Sequence, residues 1–92
     1  MSYFARLLDS ARMRSIHDVR YQAFINKLVE LRVSRKVTQV QLAENLGRLQ
    51  SYVSRIENKE RRLDVIELVD WLKGLNVETA ILVELLDECA KL

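Results

Sequence analysis

The chain has no proline, only two glycines and a single cysteine among its 92 residues. Without proline, and with strong helix formers throughout, helices are favoured along the whole chain, so we expect an all-α fold. One cysteine cannot form an intrachain disulfide or a thiolate metal cluster, and this is typical of the reducing cytoplasm. No apolar run approaches the 18 or so residues of a membrane span, and the first residues lack the pattern of a signal peptide.

The small net charge of +2 hides an uneven distribution. Residues 1–62 carry 13 Lys and Arg against 6 Asp and Glu, whereas residues 63–92 carry 2 against 7. The first part is therefore +7 and the second −5. A basic part and an acidic part of one small domain suggest a surface for a polyanion and a separate surface with another task, although solvated faces alone can also produce the split.

No catalytic arrangement is recognisable in the sequence. It contains no glycine-rich phosphate loop, no credible Ser-His-Asp set and no paired-carboxylate site, and the single histidine has no partners at metal-ligand spacing. We therefore predict a protein that is not an enzyme and needs no cofactor, metal or small-molecule ligand.

Hydrophobic periodicity predicts five helices. They cover residues 19–35, 38–46, 50–58 and 65–74, and a last helix runs from Asn76 or Val77 to about Lys91. Asp18, Thr38 and Asp64 are predicted N-caps, with Gln41 completing a capping box at Thr38, and glycines end two of the helices. In the fourth helix the apolar residues predicted to be buried are Val65, Ile66, Leu68, Val69 and Leu72.

The first residues are set apart from the predicted domain. Residues 15–92 form one domain, and residues 1–14 form either an N-terminal arm or a short sixth helix that docks on it.

Residues 39–58 have the pattern of two short helices joined by a tight turn. Ala43 is small where the helices cross, and Gly47, four residues later, permits the reversal of the chain. Apolar residues fill the angle between the helices from both sides: Leu42, Leu46, Val53 and Ile56.

Segments 38–47 (TQVQLAENLG), 50–58 (QSYVSRIEN) and 60–67 (ERRLDVIE) resemble the Cro/lambda-repressor-like helix-turn-helix family, also called the xenobiotic-response-element family. The resemblance extends over about residues 20–77. It implies a compact five-helix lambda-repressor-like domain that binds operator DNA, usually as a homodimer, to regulate transcription. One departure is at the turn, where Leu49 replaces the usual Ser or Thr and removes the side-chain N-cap of the recognition helix.

The resemblance implies roles for individual residues. Gln50, Ser51, Ser54 and Arg55 are expected to reach base edges, Gln50 by pairing with adenine. Arg55 either reads guanine or holds a phosphate, and the sequence does not decide between them. Contacts to the DNA backbone are expected from Gln39, Arg48, Tyr52, Asn58, Lys59, Arg61 and Arg62.

A predicted ion pair and the apolar last helix are the remaining features of the sequence. Arg32 and Glu57 match positions at which the family often has an ion pair, and we predict that this pair orients the recognition helix rather than being two surface charges. The last helix has more apolar residues than one face can bury, which predicts a homodimer interface; the alternative is a monomer in which residues 1–14 fold back over this face. Its predicted residues are Trp71, Leu82, Leu85, Leu86, Cys89 and Leu92.

The sequence therefore predicts a cytoplasmic, nucleoid-associated regulator that binds double-stranded DNA, most simply a repressor that binds a palindromic operator as a homodimer. The alternative is the antitoxin of a toxin–antitoxin pair, which binds a protein toxin and represses its own operon. No membrane association is predicted.

Overall fold

The computed structural model describes residues 16–92, which form five helices. They are α1 (Val19–Ser34), α2 (Gln39–Leu46), α3 (Gln50–Glu57), α4 (Val65–Gly74) and α5 (Ala80–Ala90). The prediction for residues 1–14 lies outside the described residues. Within the described part no strand is present and no helix is long and apolar enough to cross a membrane.

The helix ends are set by local interactions that were predicted. The Asp18 and Thr38 side chains accept hydrogen bonds from backbone N–H groups at the starts of α1 and α2. Thr38 and Gln41 form a reciprocal capping box, and so do Asp64 and Glu67 at the start of α4. Since each cap depends on residues two or three positions apart, these helix starts could be predicted from the sequence.

The core lies between α1, α2, α3 and α4. Its fully buried large side chains come from all four helices and from the turn after α4: Ile25, Leu28, Leu42, Val53, Ile56, Trp71, Leu72 and Leu75. Helix α2 contacts α3 and α4, while α1 contacts α3 and α5. Gly74 allows α4 to approach α2, because a Cβ atom there would lie 2.9 Å from Leu42 Cδ1. The core therefore fixes α3 from behind and leaves its outer face to solvent.

Two predictions about α4 and α5 are wrong. Val65 and Ile66 were predicted to be buried, yet they are 71% and 68% exposed, because the first turn of α4 presents them away from the core. Helix α5 begins at Ala80 rather than at Asn76 or Val77. Asn76 has a positive φ of 57°, which ends the helical path, and Val77 is buried in the loop instead.

Candidate nucleic-acid interface

The turn between α2 and α3 determines how α3 meets the solvent. Gly47 ends α2 in the left-handed conformation, with φ 66° and ψ 33°. The backbone N–H of Arg48 then donates to the Ala43 carbonyl at 2.9 Å. Leu49 occupies the N-cap of α3 without a side-chain hydrogen bond, as predicted, and is 79% exposed. The start of α3 is therefore open to solvent and held by backbone interactions.

Helix α3 has one buried and one exposed face. Val53, Ile56 and Glu57 are buried, whereas Gln50, Ser51 and Arg55 are exposed. Ser54 is partly exposed on the same side. At 100° per residue, the four residues predicted to contact bases share a sector of about 140°. Arg55 forms no ion pair within the described residues, so its guanidinium is available for a ligand.

A chain of hydrogen bonds links α3, the predicted recognition helix, to α2. Glu57 Oε1 accepts from Gln39 Nε2 at 2.8 Å, and Gln39 Oε1 in turn accepts from Gln50 Nε2 at 2.9 Å. Because a carboxylate can only accept, the Gln39 amide must direct its NH2 group to Glu57. Its oxygen then faces Gln50, and this fixes the orientation of the Gln50 amide. Gln39, predicted to contact the DNA backbone, thus also positions Gln50.

Arg32 and Glu57 form an ion pair between α1 and α3. Arg32 Nε and Nη2 donate to the two carboxylate oxygens of Glu57 at 2.7 Å and 3.0 Å. Arg32 Nη1 also donates to the Val37 carbonyl at 2.8 Å. The side chains are 12% and 5% exposed, so the pair is bidentate and mostly desolvated. It connects the first helix to the residue that orients Gln39 and Gln50.

Arg48 and Arg61 come together beside the recognition helix. Their guanidinium carbons lie 4.3 Å and 4.8 Å from the centre of the Tyr52 ring. The Tyr52 hydroxyl donates to Glu67 Oε2 at 3.1 Å, and Arg61 Nη1 donates to the same oxygen at 2.9 Å. Arg48 Nη2 lies 3.9 Å from it. We call these four residues the arginine–tyrosine cluster; it borders an open groove that Ser51 and Arg55 also line.

The electrostatics of this cluster keep Glu67 ionised and Tyr52 neutral. Partial burial raises the pKa of Glu67, but hydrogen bonds from the Asp64 backbone, Arg61 and Tyr52 outweigh it, and the net pKa is lowered. Burial and the hydrogen bond to Glu67 raise the pKa of Tyr52. The carboxylate therefore stays an acceptor and the phenol a donor at neutral pH.

The loop after α3 holds the remaining predicted backbone contacts. Asn58 Nδ2 donates to Ser54 Oγ at 3.4 Å, and Lys59 Nζ donates to Asn26 Oδ1 at 2.6 Å. Lys59 has a positive φ of 63°, which turns the chain away from α3. Arg62 is exposed at the end of the loop. These residues follow the C-terminal end of α3.

The predicted dimer residues divide between core and surface. Trp71 is 0% exposed and Cys89 is 6% exposed, so both belong to the core of this chain and their assignment to an interface is wrong. Each side chain faces the neighbouring helices, and burial raises the pKa of the Cys89 thiol. Leu82 and Leu85 also pack against the core. The exposed members are Leu86 (50%) and Leu92 (66%).

Sequence reasoning missed two residues. Glu67 was assigned only to the segment after the recognition helix, although it contacts three of the residues predicted to contact DNA, Arg48, Tyr52 and Arg61. Val83 was left out of the predicted interface, although it is 69% exposed. The spacing i, i+3 of Val83 and Leu86 was the signal for a shared face. Within residues 16–92 no group of His, Cys, Asp and Glu side chains could hold a metal ion.

Comparison with known proteins agrees with this geometry. A helix-turn-helix family model matches residues 28–82. The structure is similar to that of an XRE-family like protein from Pseudomonas syringae pv. tomato str. DC3000, with 44% identity and a TM-score of 0.73, covering 86% of this chain and 96% of that one. It is also similar to a mutant of the restriction-modification controller protein C.Esp1396I, with 25% identity and a TM-score of 0.69, covering 78% of this chain and 97% of that one. No curated protein sequence matches the chain significantly.

The all-α, lambda-repressor-like fold and these matches define a class of protein, the helix-turn-helix DNA-binding domains. The chain belongs to the Cro/lambda-repressor-like, or XRE, family of DNA-binding transcriptional regulators.

Proposed function

We propose that the protein represses transcription by inserting α3 into the DNA major groove, as a homodimer on a two-fold related operator. The observation that carries this proposal is the exposed polar face of α3, formed by Gln50, Ser51, Ser54 and Arg55 opposite a buried face. The B-DNA major groove is about 12 Å wide and admits one helix. Repression by occupancy of the operator needs only binding at the right site.

Gln50 keeps enough hydrogen-bonding capacity to read adenine. One of its two amide N–H bonds goes to Gln39, which leaves the second N–H and the Oε1 acceptor. In bidentate pairing with adenine, the glutamine N–H donates to adenine N7 and the glutamine oxygen accepts from the adenine N6 amino group. Gln39 likewise uses one N–H for Glu57 and has a second for a phosphate oxygen. The link between the glutamines therefore orders Gln50 before DNA arrives.

The other three residues of the exposed face have complementary capacities. Ser51 and Ser54 are small donors and acceptors, which suit contacts with several bases. Arg55 reaches guanine O6 and N7 or the phosphate that borders the groove, and its lack of an ion pair within residues 16–92 leaves both choices open. A contact of Arg55 with a base would make the affinity depend on the DNA sequence, whereas a contact with a phosphate would not.

Contacts to the DNA backbone come from the two sides of α3. Arg48 and Arg61 with Tyr52 lie at one side, and Asn58, Lys59 and Arg62 lie in the loop that follows. Their charges supply the part of the affinity that depends on salt and not on sequence. This arrangement separates residues that position the protein from residues that specify the site.

The homodimer is proposed to form through α5. Val83, Leu86 and Ala90 are exposed at spacings of three and four residues and form an apolar stripe beside the buried face of the helix. Light scattering should give twice the 10.8 kDa chain mass. Leu86→Glu should give the monomer, whereas Val33→Glu, which alters an exposed valine on α1, should leave the mass unchanged. A wild-type mass of one chain at micromolar concentration would contradict the dimer.

The second candidate is an antitoxin. The apolar stripe of α5 would then bind a protein toxin, while α3 still binds the operator. The stripe favours this candidate only if it remains uncovered, so a monomer that binds DNA would support it and a stable homodimer through Leu86 would oppose it.

Binding of duplex DNA at several salt concentrations tests the main proposal. We expect the affinity for a duplex selected from a random pool to fall steeply as salt rises, by about 0.9 in log K per log salt for each phosphate contacted. Gln50→Ala should cost roughly tenfold on the selected duplex and little on random DNA. Arg48→Ala should weaken both alike and lower the salt slope by about one. Absence of salt-sensitive binding to any duplex would contradict the proposal.

A further inference from the structure

Glu67 is the only carboxylate within the described residues that contacts both arginines beside α3. Its Oε2 lies 2.9 Å from Arg61 Nη1 and 3.9 Å from Arg48 Nη2, and its Oε1 accepts from the Asp64 backbone at 3.0 Å. The side chain is 13% exposed. The capping box therefore anchors one oxygen of Glu67 to the start of α4, while the other oxygen faces the two cations.

Tyr52 provides a rigid platform for the same cations. Its ring lies 6.1 Å from the Trp71 ring, and Trp71 is completely buried, so the tyrosine is fixed to the core. Its hydroxyl donates to Glu67 Oε2, and both guanidinium groups lie within cation–π distance of its ring. Arg48 and Arg61 are thereby held by an aromatic ring and by a carboxylate at the same time.

A carboxylate close to a DNA-binding surface has two opposing effects. Its charge repels phosphates at long range, which weakens binding. It also restrains flexible arginines, which otherwise lose conformational freedom when they contact DNA. In this cluster two arginines face one carboxylate, so the local surface remains cationic while Glu67 restrains both arginines.

We propose that Glu67 and Tyr52 are positioning residues for DNA binding, which hold Arg48 and Arg61 so that an acidic side chain strengthens the binding of a polyanion. The proposal rests on the proposed function of α3. It adds Glu67, which need not touch DNA to act on its binding, and it gives Tyr52 a role beside its proposed contact with the DNA backbone.

Replacement of Glu67 by glutamine tests the sign of the effect. On a duplex that the wild-type protein selects from a random pool, Glu67→Gln should bind roughly three- to tenfold more weakly, although it adds one positive charge, and the salt slope should fall. The matched control is Glu60→Gln, which removes the same charge from an exposed residue with no ion pair within residues 16–92. The control should bind as tightly as the wild type or more tightly.

Two further comparisons separate positioning from folding. Asp64→Ala weakens the start of α4 without removing a contact of the arginines, and it should not reproduce the loss. In the Arg48→Ala/Arg61→Ala background, Glu67→Gln should no longer weaken binding, because the groups through which it acts are absent. If Glu67→Gln does not fold at the assay temperature, Glu67→Asp, which keeps the charge but shortens the side chain that reaches the arginines, should be tested with and without Arg48 and Arg61, with the same expectation.

Three outcomes are distinguishable. Binding by Glu67→Gln that equals or exceeds that of the wild type would overturn the proposal. An undiminished loss in the background without Arg48 and Arg61 would also overturn it, since Glu67 would then act through the fold. Failure of the wild-type protein to bind any duplex would instead overturn the proposed function itself.

Discussion

The ion pair between Arg32 and Glu57 should couple the stability of α1 to that of α3. Removal of Arg32 leaves the Glu57 carboxylate, 5% exposed, with only Gln39 as a side-chain donor. Removal of Glu57 leaves the Arg32 guanidinium, 12% exposed, with the Val37 carbonyl. Each alanine variant therefore strands a buried charge, which typically costs about 3–5 kcal/mol.

The double variant loses both charges together, so its cost should be clearly less than the sum of the single costs. Two bonds at 2.7 Å and 3.0 Å in a desolvated setting place the coupling energy at about 2 kcal/mol, in the upper part of the range for contacting residues. Urea unfolding of the wild type, both single variants and the double variant measures it. A low temperature is advisable, because small domains have a total stability of only about 5–15 kcal/mol.

The control pair is Lys27 and Glu88, which also joins two helices. Its Nζ to Oε2 distance is 3.3 Å, but the side chains are 39% and 56% exposed. Solvent screening should limit the coupling of this pair to about 0.5 kcal/mol. Additive losses at Arg32 and Glu57, or a coupling no larger than that of the control, would refute the interpretation that the buried pair orients α3.

Three other changes test local features of the structure. Leu49→Ser should stabilise the protein by about 1 kcal/mol in urea unfolding, because Leu49 is 79% exposed and an N-cap serine supplies the missing hydrogen bond; a loss of stability would show that Leu49 packs in solution. Gly47→Ala should cost about 1 kcal/mol, since only the backbone angle of φ 66° opposes a Cβ that meets nothing within 4 Å, and Gly47→Asn should cost less. Asp18 has a pKa lowered to about 2 by side-chain and backbone hydrogen bonds with Arg20, so its charge stabilises the fold above pH 3.8 and this contribution is lost as pH falls toward 2. The stability difference between wild type and Asp18→Asn, which keeps a capping side chain, should therefore shrink over that interval, and a difference independent of pH would contradict the assignment.

Much of the fold could be predicted because its signals are local. The capping box at Thr38 and the left-handed turn at Gly47 each depend on residues within a few positions. The spacing of apolar residues placed Val53 and Ile56 in the angle between α2 and α3, where both are 0% exposed. The start of α5 could not be placed in this way, because Asn76 leaves the helical conformation in a loop whose Val77 is buried by tertiary packing.

The division between core and surface was harder to predict than the helices. An apolar side chain at helical spacing suits a core and an interface equally. Trp71 was therefore assigned to the interface, although it is completely buried in the core. Val65 and Ile66 were assigned to the core for the same reason. The contacts of Glu67 were unpredictable because Tyr52 lies 15 residues away on another helix, and only the packing of α3 against the start of α4 brings them together.

Whether the exposed face of α3 reads DNA sequence is tested directly by selection of bound duplexes from a random pool, with the wild-type protein and with Gln50→Ala in parallel. We expect the wild-type protein to enrich a site with two related halves about one helical turn apart, and Gln50→Ala to lose preference at one base position in each half while the others persist. Enrichment of no site by the wild-type protein, or the same site with undiminished preference by Gln50→Ala, would contradict this expectation.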